Sequence, residues 1–358
     1  MEYPKTRDEW LALRHKHISS TEVAALFGLS PYLTAYELAV VKKQPSHDNE
    51  FNLFEASERT EWGLVQQRAI AGRIAQKFGI KCRAISGYAI HSYQHCRMGS
   101  SFDYEIIGIA DDEFPKDGDP ILRDMYKKFG AGILEIKNVD ALIFRDQWSE
   151  DDDGRREAPA HIEIQVQHQL ACIARQWGAI GVLVGGNKLE LLVRERDDAV
   201  NQAIAKKCEW FWNLLAKGGM PPVELPADAE IIGKLYRYAE PGKVLDVQAD
   251  PDETISALCA AYKEAAARAA AAEDEKKTAK AQLLLVIGDA EKVLAKGFTI
   301  SATSIADTEI AAYTRKGHRN VRINAAKPPK EKGDGKAVQG RNRNRHDAGE
   351  GQGAEQRA

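Results

Sequence analysis

The run Gly132-Ile133-Leu134-Glu135-Ile136-Lys137 decides how the fold of this chain is read. It is short and apolar, and it delivers an acid and a lysine two positions apart. Side chains alternate along an extended strand, so Glu135 and Lys137 share one face while Leu134 and Ile136 enter the core. An anion and a cation are thereby held side by side.

The same triplet recurs at Glu275-Lys276-Lys277, inside a charged helical stretch where it reads as solvated surface. The first copy is set apart by what precedes it: Met98-Gly99-Ser100-Ser101-Phe102-Asp103 ends in an acid, and the strand-like Tyr104-Glu105-Ile106-Ile107-Gly108-Ile109 follows. Two carboxylates from adjacent strands, with a lysine beside them, can bind magnesium through oxygen ligands and hold a water near a phosphodiester. On these residues alone, a surface salt bridge between Glu135 and Lys137 is the plain alternative.

The chain has 358 residues, room for one large domain with appendages or for two domains, and an apolar fraction of 44% supports a core. A formal net charge of -3 conceals an uneven distribution. Between Arg315 and Arg345 there are eleven Lys or Arg against Glu331 and Asp334, whereas 111–119 and 150–153 are acidic. Such a basic tail either attracts nucleic acid or only solubilises. The cysteines Cys82, Cys96, Cys172, Cys208 and Cys259 form no C-x-x-C pair, so neither a zinc site nor a disulfide framework is indicated. The charged N-terminus lacks a signal-peptide core and no apolar run reaches membrane-spanning length, so a soluble cytoplasmic protein is expected.

In chain order, 9–14 predicts a helix, and 18–28 a second one capped by Ser19, Ser20 and Thr21 and stopped at Gly28. Hydroxyls at a helix N-terminus beside Arg14 make a phosphate site, with capping alone as the bland role. Further helices are expected over 34–42 and 62–78, the latter turning Gln67 inward on the face of Gly63, Ile70 and Ile74. Strands are expected over 85–90, 98–109 and 131–137, the last after a long connection that is Asp-rich at its start. A helix over 160–177, a hairpin around Gly185-Gly186-Asn187 and a helix over 197–217 complete the body. Pro221-Pro222 and Pro226 mark a boundary. The Ala-, Glu- and Lys-rich 252–296 reads as helical or coiled-coil-like, 298–301 and 320–323 as a small hairpin, and the chain beyond 324 as disordered.

Taken together, these pieces resemble the YqaJ-like viral recombinase family, phage relatives of lambda exonuclease within the PD-(D/E)XK nuclease superfamily. The resemblance spans 14–217, and the helix and hairpin up to 323 are similar to the tail region of such proteins. The matching motifs are Arg14 with the stretch from Ile18 to Tyr32, Trp62-Gly63, Ser101-Phe102-Asp103, Leu134-Glu135-Ile136-Lys137, and Gln165-Val166-Gln167-His168-Gln169-Leu170, in the family's order. The implied fold is α/β, a restriction-endonuclease-like core with a mixed central sheet flanked by helices. The implied organisation is an exonuclease domain over 1–220, a linker over 221–251, a helical extension over 252–297, a terminal hairpin over 298–324 and a disordered basic tail over 325–358.

The resemblance also implies roles. Asp103 and Glu135 match the metal-binding acids, with the Ile136 backbone carbonyl as a further ligand. Lys137 matches the lysine that orients or activates the attacking water, and Gln165 a glutamine beside it. Arg14, Ser20 and Thr21 fall where similar enzymes grip the 5′ phosphate of a DNA end. Gln67 stands where relatives usually carry a glutamate, so it keeps an oxygen ligand, loses a charge, and weakens a second ion site.

The activity implied is a magnesium-dependent deoxyribonuclease, manganese substituting, that degrades double-stranded DNA from its 5′ end and leaves a 3′ single strand for a phage annealing protein. A homo-oligomeric ring, no membrane, and a phage- or prophage-encoded protein in the bacterial cytoplasm go with it. Two other readings stay open: a DNA-end-binding recombination factor made weak or inactive by Gln67, and an endonuclease on the same fold.

Overall fold

The computed structural model describes residues 1–44, 58–109, 120–150, 155–223, 226–248 and 253–305. The chain divides into two compact units, Met1–Arg237 and Tyr238–Ala358.

The first unit is built on a five-stranded sheet. Its strands are β1 (Ile80–Ala84), β4 (Tyr104–Ile109), β5 (Gly132–Val139), β6 (Trp177–Val184) and β7 (Lys188–Glu195), hydrogen-bonded in that spatial order. The β1, β4 and β5 pairings are antiparallel, β5 and β6 run parallel, and β6 and β7 form the expected hairpin. A parallel pair needs a crossover, which α6 (Ala160–Ile173) supplies. A small ribbon of β2 (Ala89–Ile90) and β3 (Gly99–Ser100) lies outside this sheet.

Both faces of the sheet are covered. On one, Leu134 and Ile136 of β5 and Trp177 and Ala179 of β6 join Ile70, Ile74 and Phe78 of α3 (Glu58–Phe78). On the other, Ile133 and Val139 of β5 and Ile180, Val182 and Val184 of β6 join Ile162, Val166 and Leu170 of α6 and Ile204, Cys208 and Phe211 of α7 (Asp198–Ala216). The face carrying Glu135 is therefore a second core face, which fits the apolar character of the whole β5 run. Gly132 admits the Trp177 ring, since a methyl there would lie 2.5 Å from it, and the buried indole donates to the Gly130 carbonyl at 2.9 Å.

Several expected boundaries shift. The strand expected over 85–90 is split into β1 before Ile85 and the short β2, and the one over 98–109 breaks between Ser100 and Tyr104. The long connection ahead of β5 contains a helix, α4 (Pro120–Phe129), whose Leu122 joins the α3 core; residues 110–119 lie outside the described residues. The helix expected to run to Trp177 ends at Ile173, with Ala174 in the left-handed region at φ 55, and Trp177 opens β6. Helix α1 (Arg7–Lys16) and α2 (Ala35–Lys43) form as expected, α2 with a capping box between Thr34 and Glu37, while α5 (Ala141–Gln147) was not foreseen.

The second expected helix is replaced by a five-residue 3-10 turn, Val23–Phe27, without a side-chain cap. Ser19, Ser20 and Thr21 are spent elsewhere, as described below. The first unit also runs past the expected boundary at 220, because α8 (Asp228–Leu235) packs on α2 and buries Ile231.

The second unit contains α9 (Thr254–Ile287), followed by β8 (Lys292–Ala295) and β9 (Phe298–Ser301). These strands pair across Lys296-Gly297, with Gly297 at φ 81. The hairpin thus begins before Phe298, and its partner strand is β8; residues 320–323 and the basic tail lie outside the described residues. Among the described residues no helix is long and apolar enough to cross a membrane.

Candidate active site

The site begins where β4 stops pairing. The β4–β5 ladder ends at Tyr104 opposite Leu134, so the Ile136 N–H on the same edge of β5 has no strand partner. Asp103 supplies one: its Oδ2 accepts the Ile136 N–H at 2.8 Å. The Ile136 carbonyl leaves the strand on that edge too, because N–H and C=O of one strand residue point the same way.

Glu135 is buried, 6% exposed, and its carboxylate is saturated with donors. Oε1 accepts from Lys137 Nζ at 2.7 Å and Gln165 Nε2 at 2.6 Å, and Oε2 accepts from Gln169 Nε2 at 2.7 Å. Lys137 also donates to Gln165 Oε1 at 3.0 Å. The salt bridge anticipated as the plain alternative is present, yet it is one link of a buried network rather than a surface pair. Gln165 and Gln169 sit one turn apart on α6 and reach the same carboxylate from above.

The two acids repel one another. Burial and the neighbouring Glu135 charge push the Asp103 carboxyl up to about 7, against the Ile136 N–H, Lys137 and a hydrogen bond from the Gln67 amide. Gln67 is therefore at the site, on the inward face of α3. Two carboxylates share a single ammonium, an excess of negative charge in a confined place. Among the described residues no three His, Cys, Asp or Glu side chains cluster as metal ligands, so further donors would be neutral oxygens. Ile136 C=O and Gln67 are such donors, and the buried Gln169 Oε1 has no hydrogen-bond partner among the described residues. This all-oxygen set suits a hard divalent cation.

The second cluster is gathered by Arg14, in the last turn of α1. Its Nη2 donates to Ser19 Oγ at 3.1 Å and Thr21 Oγ1 at 3.2 Å, and the guanidinium lies 4.8 Å from the Trp10 ring. The hydroxyls that look like caps in the sequence are thus turned toward Arg14. Beneath them Glu22 and Lys42 form a buried ion pair at 2.9 Å. Burial opposes the Glu22 charge, but Lys42, Arg14 and the Ser19 N–H outweigh it and hold the carboxyl below its usual range. Lys42 also donates to the carbonyls of Arg14 and His17, at 2.7 and 2.9 Å, tying α1 to the loop. From the other side, His168 Nε2 lies 3.1 Å from the Ile18 carbonyl. These bonds hold the loop from both sides.

One cavity of roughly 130 Å³ joins the clusters: Arg14, Ser19, Ser20 and Thr21 line it together with Asp103, Glu135, Gln165 and Gln169, and Tyr88 and Ser101 complete the wall. Lys137 and Gln67 reach it through Glu135, Gln165 and Asp103. Ser20 accepts from Ser100 Oγ at 2.9 Å, and the Ser101 hydroxyl accepts the Trp10 indole N–H at 2.8 Å. Ser101, Gln169 and Tyr88 were not among the expected site residues. Gln169 was legible from its spacing to Gln165, Ser101 only from its closeness to Asp103, and Tyr88 from nothing local.

The mixed sheet flanked by helices is the expected α/β architecture, and it brings together Asp103, just before β4, and Glu135 on the neighbouring β5, with a lysine two residues beyond Glu135. Residues 9–176 match the family model of the YqaJ-like viral recombinase domain. The uncharacterized protein YqaJ of Bacillus subtilis (strain 168) is 26% identical over 254 residues, 70% of each chain. Among solved structures, an alkaline exonuclease (LHK-Exo) from Laribacter hongkongensis is 18% identical, covering 59% of this chain and 93% of its own at a TM-score of 0.38. LHK-Exo in complex with dAMP, also 18% identical, covers 64% and 97% at 0.37.

Proposed function

We propose that this protein is a magnesium-dependent deoxyribonuclease that shortens the 5′-ended strand at double-stranded DNA ends. The observation that carries the reading is the single cavity connecting Arg14 and its hydroxyls with Asp103 and Glu135. A cation and hydroxyl donors suit a terminal phosphate, and paired acids with a lysine suit hydrolysis of a phosphodiester nearby.

Asp103, Glu135, the Ile136 carbonyl and Gln67 would hold the ion, which when bound polarises the phosphoryl group and acidifies a water. Gln165 and Gln169 fix the Glu135 carboxylate in one orientation. Lys137, held between Glu135 and Gln165, places its ammonium beside the paired acids, where it offsets charge developing on the phosphorane and orients the attacking water. Arg14, Ser20 and Thr21 hold the 5′ phosphate, and the buried Glu22–Lys42 pair keeps Arg14 and the loop in register. Manganese in place of magnesium, a ring of copies around the duplex and transfer of the 3′ strand to a single-strand annealing protein belong to the same reading through the family.

Incubation of linear and covalently closed duplex with magnesium tests it. Nucleotides released from the linear form alone support the proposal; cleavage of the closed circle replaces it with an endonuclease. One observation favours a second reading: Gln67 places a neutral amide on Asp103 where a third carboxylate would strengthen ion binding. DNA ends bound without metal-dependent release would establish that end-binding factor instead.

A further inference from the structure

Tyr88 presents a buried hydroxyl that the chain itself does not use. The residue is 1% exposed, lines the cavity, and among the described residues its hydroxyl has no hydrogen-bond partner. A buried phenol normally finds a partner, and leaving it without one is costly.

The residue is held in place by its backbone and by the packing of its ring. Its backbone N–H and C=O both pair with Glu2 at 2.7 Å, and the His17 ring stands 5.9 Å from it. It also lies against Gly99, where a methyl would fall 2.5 Å from a ring carbon and 2.7 Å from the phenolic oxygen. The hydroxyl is thus fixed in a wall shared with Arg14, Ser19, Ser20 and Thr21. Among the described residues Gln169 Oε1 is the cavity's other unpartnered buried atom; it is an acceptor, on the side chain that orients Glu135.

A phenol O–H beside a guanidinium and hydroxyls asks for a ligand with several anionic oxygens. A phosphomonoester offers three non-bridging oxygens and up to two charges; a diester offers two and one. We infer that the Tyr88 hydroxyl donates to a non-bridging oxygen of a terminal 5′ phosphomonoester, which makes Tyr88 a specificity-determining residue for phosphorylated DNA ends. The inference rests on the proposed reading of the Arg14 cluster as a phosphate site.

The test is equilibrium binding of the full chain, in EDTA, to a short duplex labelled at its 3′ end and carrying either a 5′ phosphate or a 5′ hydroxyl. Wild type should prefer the phosphorylated end, and Tyr88→Phe should cut that preference about ten-fold while leaving affinity for the hydroxyl end unchanged. Its melting temperature should not fall, since the change removes only an unsatisfied hydroxyl. A second probe uses wild type alone: a duplex whose 5′ phosphate is methyl-esterified should bind like the hydroxyl end. An unchanged preference in Tyr88→Phe, or equal binding of methyl ester and monoester, overturns the role of Tyr88 and leaves the phosphate site standing. A wild type indifferent to the 5′ phosphate overturns both.

Discussion

The carboxylate of Asp103 takes the place of a missing strand partner for Ile136, accepting its N–H at 2.8 Å where the β4–β5 ladder ends. The interruption that places Asp103 within reach of the Glu135 charge also leaves the Ile136 carbonyl without a β4 partner.

Asp103→Asn should separate stability from activity. The amide oxygen still accepts the Ile136 N–H, while the repulsion with Glu135 is gone. Denaturant titration without metal should show a gain of about 1–2 kcal/mol, together with loss of metal-dependent cutting.

Gln67→Glu should act in the opposite sense. It removes a donor to Asp103 and adds a charge, so metal-free stability should fall by about 1–2 kcal/mol. Manganese should then bind more tightly, by about ten-fold, as calorimetric titration would read directly.

Lys42→Met should cost about 3 kcal/mol, because it strands the buried Glu22 carboxylate and frees the Arg14 and His17 carbonyls. Lys42→Met with Glu22→Leu should regain much of that stability in urea unfolding. It should still bind 5′-phosphorylated ends poorly, because Arg14 and Ser19 lose the group that positions them.

Acid should weaken the fold through His168. Burial lowers this imidazole from 6.5 to about 3, so below pH 6.5 the unfolded chain binds the proton that the folded chain refuses. Its contribution is complete above pH 6.5 and declines as pH falls toward 3, by about 1.4 kcal/mol per unit. His15, His17 and His91 are lowered too, by burial first, and add to the slope. Urea midpoints at pH 7 and pH 5 should differ accordingly, and His168→Gln should flatten the difference.

What could be read in advance follows the range of the interactions. Glu135 and Lys137 share a face because a strand has period two, and Gln67 points inward because Ile70 and Ile74 do. Both are local rules. The Ser19-Ser20-Thr21 run misled for the opposite reason: hydroxyls suited to caps are drawn to Arg14, and Val23–Phe27 tightens into a 3-10 turn without them. Lys42 reads as the end of the helix expected over 34–42, and only folding brings it to Glu22. Tyr88 reaches the cavity through pairing with Glu2 and packing on Gly99, which no local pattern encodes.

The most direct test of the account is release of nucleotides from a linear duplex labelled on its 5′- or 3′-ended strand, in magnesium, by wild type and Lys137→Ala. Wild type should show metal-dependent release from the 5′-ended strand, Lys137→Ala should lose at least about a thousand-fold, and both should bind DNA near-normally. Undiminished release by Lys137→Ala, or release from the 3′-ended strand, would contradict the account.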